Sequence, residues 1–297
     1  MDWKQDFKIW MLIAFIGAAV FGLSIAVGKS DGLTWNSIKG IESLSSTDFG
    51  TMNLPETGNV EFVAEVIDTP TPTLVMIEPT KQLSAPIVAL IVGDSMVLEG
   101  FGPRMESRLA GYQGITIKRF GKYSTGLNRT DYYDWYAKTQ ELVIANKPNI
   151  LIVEFGGNDG QNIMDYSVGK KYTQSQAEWD VVYKKRVFDY LTKFTPQVRE
   201  FYWVGHPIPR TDEFNRKFSR MNAAYISECA KFPNCHYVNE WDRFAIKGKY
   251  SATVADDNGL VKTVKGGDGI HVNTHGGNIM ADEVIKVIKE DVILVPK

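Results

Sequence analysis

The stretch "IVGDSMVLEG", residues 91–100, ends an apolar run with a Gly-Asp-Ser tripeptide and so places Ser95 directly after an expected strand. Two readings compete there. Gly, Asp and Ser build ordinary strand-to-helix turns and caps. A serine hydroxyl opening a helix, here expected over about residues 96–110, also sits where the helix N-terminus favours developing negative charge. In the second reading Ser95 is a nucleophile, which needs a base, an acid to orient that base, and donors for an oxyanion. Each has a candidate. "GGDGIHVNTHGG" sets Asp268 three residues before His271, and if that loop curls back, the carboxylate can hold Nδ1 while Nε2 faces the serine. "EFGGNDG" offers the Asn158 side-chain amide as a donor, with an Asx-turn at Asn158 and Asp159 as the other reading. His206, in "GHPIP", could line the same crevice; His236 falls in or beside a strand. His275 opens the last helix and is a rival base without an acid at the same spacing.

These residues need a frame that brings them together. The runs "IVALIV" (87–92), "ITIK" (115–118), "NILIVEF" (149–155), "FYWVG" (201–205) and "HYVNE" (236–240) are short and almost continuously apolar, the pattern of buried parallel strands. Helical stripes lie between and after them: Trp179, Tyr183, Val187 and Leu191; Phe214, Phe218, Met221 and Tyr225; Met280, Val284, Val287 and Ile288. Thr211 is placed to cap the second of these helices. Five strands alternating with helices predict a doubly wound, three-layer α/β sandwich. In such sheets ligands bind beyond the carboxyl ends of the strands, and each motif above falls at such an end. The segment around "DDNG" (256–259) is expected to form a β-hairpin leading to Asp268.

The rest of the chain bears on location. From Ile9 to Val27 there are nineteen residues without a charge, enough for a helix of about 28 Å against a hydrocarbon core of about 30 Å. This predicts a membrane anchor with its short amino-terminal flank inside. A cleavable signal fits less well, because the run is long and no clear small-residue cleavage site follows. A core helix fits least, for want of a polar face. Residues 1–29 are therefore read as cytoplasmic tip and anchor, 30–84, with "TPTPT", as a spacer carrying one or two strands at "NVEFVAEVI", and 85–297 as the extracytoplasmic catalytic domain. Cys229 and Cys235 are six apart and could pair in an oxidising compartment or serve as separate core residues. With 33 basic and 35 acidic residues dispersed along the chain, no footprint for nucleic acid stands out. No cofactor is expected, since the first turn lacks a Gly-x-Gly-x-x-Gly cradle. No metal cluster is legible either: His271 and His275 straddle a loop-to-helix boundary without a clear third ligand.

"GDS" after the first strand, "GGND" after the third and "DGIH" before the last helix follow the order of blocks in the SGNH, or GDSL-type, hydrolase superfamily, which the sequence resembles over about residues 85–292. The first block reads "GDSM" rather than "GDSL". The resemblance implies a flavodoxin-like fold, Ser95 as nucleophile, His271 as general acid/base and Asp268 as orienting carboxylate. It implies an oxyanion hole of Asn158, the Ser95 N–H and a glycine N–H from the loop after the second strand. Gly121 and Gly126 both qualify. Gly126 is favoured because "STGLNRTDYYDW" resembles the loop of a membrane-tethered SGNH subgroup. Asp94 is expected to brace the turn, with Asp94, Tyr123, Asp159 and His206 as further candidates for substrate contact.

What that subgroup implies is O-acetyl transfer or O-acetyl ester hydrolysis on an extracytoplasmic polysaccharide, in some members beside a multi-pass acyltransferase in the membrane. Tyr123, Tyr132, Tyr133 and Trp135 could stack on sugar rings or belong to core and surface. A lipase or thioesterase would need segments 160–178 and 243–267 to form an apolar channel, and both look polar. A catalytically idle glycan-binding or scaffold module is the reading from a different class.

Overall fold

The computed structural model describes residues 82–297. The predicted anchor at Ile9–Val27 and all but the last three residues of the predicted spacer lie outside the described residues. Among the described residues no helix is long and apolar enough to cross a membrane.

The five apolar runs form one parallel sheet. Strands β1 (Ile87–Gly93), β2 (Ile115–Gly121), β3 (Ile150–Glu154), β6 (Glu200–Val204) and β7 (Cys235–Val238) lie in the order β2-β1-β3-β6-β7. All neighbouring pairs are parallel. Alternate side chains divide between two cores, as the twofold repeat of a strand requires. Ala89, Ile91, Ile152 and Val204 pack on α1 (Gly102–Ala110) and α6 (Thr274–Asp291). Leu90, Val92, Val153 and Trp203 face α2 (Trp135–Asn146), α3 (Glu178–Phe194) and α4 (Asp212–Cys229). The result is the expected three-layer α/β/α sandwich. Thr211 caps α4 by accepting from the Phe214 amide.

Several details depart from expectation. The helix after Ser95 opens with one wide turn, Met96–Gly100, closed by the Phe101 amide on the Met96 carbonyl (2.9 Å), before α1 starts. Strand β7 stops at Val238 because the Asn239 side chain caps a short helix α5, Glu240–Phe244. Two small hairpins interrupt the βα rhythm: β4 (Ile163–Asp165) with β5 (Lys170–Tyr172), and β8 (Ala245–Ile246) with β9 (Lys249–Tyr250). The segment around "DDNG" makes the expected hairpin, β10 (Thr253–Ala255) with β11 (Val261–Thr263). Cys229 and Cys235 form a disulfide joining the end of α4 to the start of β7.

At the end of the sheet opposite the site, His236 Nε2 lies 3.0 Å from Glu200 and 3.4 Å from Asp291. Among the described residues these three are one group whose donor atoms lie close enough to share a metal ion. Once His236 is protonated, this geometry makes an ion pair that ties the end of α6 to β6 and β7. Burial disfavours the His236 charge, but the Glu200 hydrogen bond and the Asp291, Glu200 and Glu290 carboxylates outweigh it and raise its pKa. A raised histidine pKa contributes stability that is present below the unfolded value of about 6.5 and is lost as pH rises through the folded value. His236→Gln is therefore expected to lower the melting temperature more at pH 5.5 than at pH 9. An equal loss at both would contradict the ion pair.

Candidate active site

Ser95 lies two residues beyond β1, where the chain leaves the sheet for the wide turn. Asp94 makes that turn: it is 1% exposed, and its Oδ1 accepts the Met96 amide at 3.0 Å. The Ser95 hydroxyl is thereby presented at a helix start and at the carboxyl edge of the sheet. Its Oγ lies 2.8 Å from His271 Nε2.

The loop before α6 does curl back. The Gly266 amide donates to the His271 carbonyl (2.8 Å), and the Gly269 amide to Gly266 (3.0 Å). Gly269 takes a φ of +73°, in the left-handed region, which also leaves room for the Arg210 side chain packed on it. Arg210 fastens the loop from outside through its amide to Gly269 and its guanidinium to the Gly267 carbonyl. Within this frame one Asp268 oxygen accepts the Ile270 and His271 amides at 2.9 and 3.1 Å, and the other lies 2.5 Å from His271 Nδ1. Partial burial works against the Asp268 charge, yet the His271 bond and the two amides hold its carboxyl below the usual range. Ser95, His271 and Asp268 thus form one hydrogen-bonded chain, the arrangement in which an imidazole takes a serine proton. His275 stands apart, with Nε2 3.3 Å from the Val254 carbonyl.

Asn158 reaches the same crevice from the turn after β3. Its Nδ2 donates to the Thr125 carbonyl at 3.1 Å and lies 3.4 Å from Asp94 Oδ2. Of the two glycines, Gly121 is the last residue of β2, paired with Gly93, whereas Gly126 follows Thr125 on the loop that Asn158 touches. No acceptor among the described residues takes the backbone N–H of Ser95 or of Gly126.

Asp159 is not a substrate contact. It is 1% exposed and accepts the Leu127 and Asn128 amides (2.8 Å each) and the Tyr183 hydroxyl (3.0 Å), so it anchors the Gly126 loop. A side chain at 126 would strike this carboxylate, which is the local reason for glycine there. Burial raises the Asp159 pKa, with the Asn128 and Leu127 amides opposing.

The remaining aromatic expectations divide. Trp135 is fully buried and stacked on Phe155, so it belongs to the core and cannot meet a sugar. Tyr133 packs edge-on against Trp135 with Lys122 over its ring. Tyr123 is exposed and donates to Glu99. Tyr132, 56% exposed, lines a groove of about 470 Å³ beside Asn158.

Two buried groups beneath the site went unread in the sequence. Glu154, the last residue of β3, is fully buried with neither oxygen hydrogen-bonded, and His206 Nδ1 lies 3.3 Å from one of them without hydrogen-bond alignment. Burial pushes Glu154 up to about 8 and His206 down to about 4, each away from its charged form. Asp94 is raised to about 7 by burial and by Glu154. His206 lines the crevice edge but is held in the core, its amide donating to Asn222 at 2.9 Å. Lys265, also buried, donates to the Ile270 carbonyl at 2.8 Å, directly before His271. Charged side chains are solvated by default, and only their adjacency to "GGND" and "GGDG" hinted otherwise.

Over the serine lies a crevice of about 160 Å³ lined by Ser95, His271, Asn158 and Gly157, with Met96, Pro207, Phe214, Phe218 and Ile270 as its apolar walls. Residues 88–287 match the family described as "Protein of unknown function (DUF459)". No curated protein matches the chain. Among solved structures, a catalytic mutant of Axe2, an acetylxylan esterase from Geobacillus stearothermophilus, is similar to 73% of this chain over 99% of its own length, with 16% identity and a TM-score of 0.53. Another variant of that esterase covers 71% of this chain and 98% of itself, at 17% identity and a TM-score of 0.52. At these identities the likeness is one of fold.

Proposed function

The chain belongs to the DUF459 family, on the fold of the SGNH hydrolases, and we propose that it is a serine esterase or acyltransferase acting on short acyl esters of a glycan. The observation that carries this is the continuous chain from Ser95 Oγ to His271 and on to Asp268, opening into a crevice with Asn158 on its rim. Ser95 attacks the ester carbonyl while His271 Nε2 takes its proton, and Asp268 keeps the Nδ1 proton in place and stabilises the imidazolium. The oxyanion is received by the Ser95 and Gly126 amides and by Asn158, whose long contact to Asp94 is the one it gives up. His271 then protonates the departing alcohol, leaving an acyl-Ser95 that passes to water or to a sugar hydroxyl.

Acetyl is the acyl group that the small crevice favours, and the fold shared with an acetylxylan esterase supports a carbohydrate acceptor or donor. The Cys229–Cys235 disulfide supports a domain held outside the cytoplasm. There the segment Ile9–Val27 would anchor it in the membrane, within reach of envelope polysaccharide and of a multi-pass acyltransferase.

The test uses the full chain with acetylated xylo-oligosaccharide, following acetate release, and in parallel p-nitrophenyl acetate with unacetylated oligosaccharide, following product mass. Acetate release alone identifies an esterase, and acetylated oligosaccharide a transferase. Turnover of neither donor contradicts the proposal.

A further inference from the structure

The crevice over Ser95 and the groove beside it are separate spaces that meet at three residues: Gly157, Asn158 and Phe214. Gly157 has no side chain, and Asn158 donates to the Thr125 carbonyl on the neighbouring loop. Phe214 is therefore the one bulky side chain that lines both. It is the third residue of α4, half-buried, where that helix overhangs the site. Its ring is held edge-on to Phe218 (5.9 Å between centroids), with Lys217 Nζ 5.0 Å above it. Phe218 is 3% exposed and rooted in the core, so the Phe214 ring rests on a buried neighbour.

The other apolar walls, Met96, Pro207 and Ile270, close the crevice and do not line the groove. Beyond Phe214 the groove widens to about 470 Å³, lined by Ser124, Arg129, Tyr132, Gly160 and Gln161. We propose that Phe214 is a specificity-determining residue: its ring partitions crevice from groove and limits the acyl group carried by Ser95 to a short chain. This rests on the esterase reading above. An acetyl methyl fits on the serine side of the ring, whereas a longer chain has to pass through the position that the ring occupies.

Removing the ring joins the two spaces and gives added methylenes a surface to bury against. The experiment measures kcat/KM of the full chain on p-nitrophenyl acetate, butyrate and octanoate for wild type, Phe214→Ala and Phe214→Trp, with melting temperatures to establish folding. Wild type is expected to prefer acetate. Phe214→Ala should raise the octanoate-to-acetate ratio by roughly tenfold or more, within the range that a few methylenes command in an apolar pocket. Phe214→Trp, which keeps and thickens the wall, should lower the butyrate-to-acetate ratio, and it serves as the test if the alanine variant fails to fold. Unchanged ratios in folded, active variants, or a wild type that accepts octanoate as readily as acetate, would overturn the role of Phe214. Absence of turnover on every ester would instead overturn the esterase reading itself.

Discussion

Replacing Ser95 by alanine is expected to reduce p-nitrophenyl acetate hydrolysis by roughly 10⁴- to 10⁶-fold, the range in which serine-triad enzymes lose activity with their nucleophile. The loss should appear without a matching loss of fold. Ser95 is only partly buried, makes no side-chain cap on the turn it opens, and bonds through Oγ to His271 alone. The turn is built instead by Asp94 on the Met96 amide and by Arg119, whose guanidinium donates to the Val97 carbonyl at 3.0 Å. A variant that keeps its circular dichroism and melting temperature while losing turnover separates chemistry from structure. A loss below about tenfold would show that the observed hydrolysis does not pass through Ser95.

The second large effect is expected at Asp268. Asp268→Asn preserves the shape: the remaining carbonyl oxygen can still accept the Ile270 and His271 amides, so the loop keeps its turn. What changes is the atom facing His271 Nδ1. An amide N–H there forces the imidazole proton onto Nε2, toward Ser95, where a lone pair is needed. In serine enzymes this tautomer error costs about 10⁴-fold in kcat. Asp268 is half open to solvent, with a side-chain exposure of 45%, and water can stand in for part of its charge. A loss of roughly 10³- to 10⁴-fold is therefore the expectation. It is read as kcat against pH with melting temperature as control. Retention of activity within tenfold would mean that His271 needs no carboxylate at Nδ1.

Ser95, Asn158, Asp268 and His271 were legible because each stands at a chain position that an alternating βα order carries to the same sheet edge. The five strands were legible from their apolar runs, and α3, α4 and α6 from their stripes. Helix α2 was not: its inward positions are Trp135, Thr139 and Val143, so a polar residue interrupts the stripe while Ile144 faces solvent. The same helix explains why Trp135 is no sugar platform, since the Asp134 cap directs the first turn onto Phe155.

Asp159 was misjudged for a related reason. An acidic residue next to a site residue reads as a contact, yet here it turns inward to hold two loop amides and a tyrosine hydroxyl. Glu154, Lys265 and Glu240 are buried titratable side chains, and burial of such a group leaves no periodic trace in sequence. Phe214 and Phe218 share one helical face, and only the packed structure distinguishes the wall between two spaces from the core residue behind it.

The most direct test of the central claim is acid-quenched mass spectrometry of the full chain after brief exposure to p-nitrophenyl acetate, with peptide mapping of any adduct. The predicted result is one acetyl group on the peptide that contains Ser95, forming at the rate of the initial burst and absent from Ser95→Ala. Acetylation confined to other residues, or steady turnover with Ser95 unmodified at every quench time and undiminished in Ser95→Ala, would contradict it.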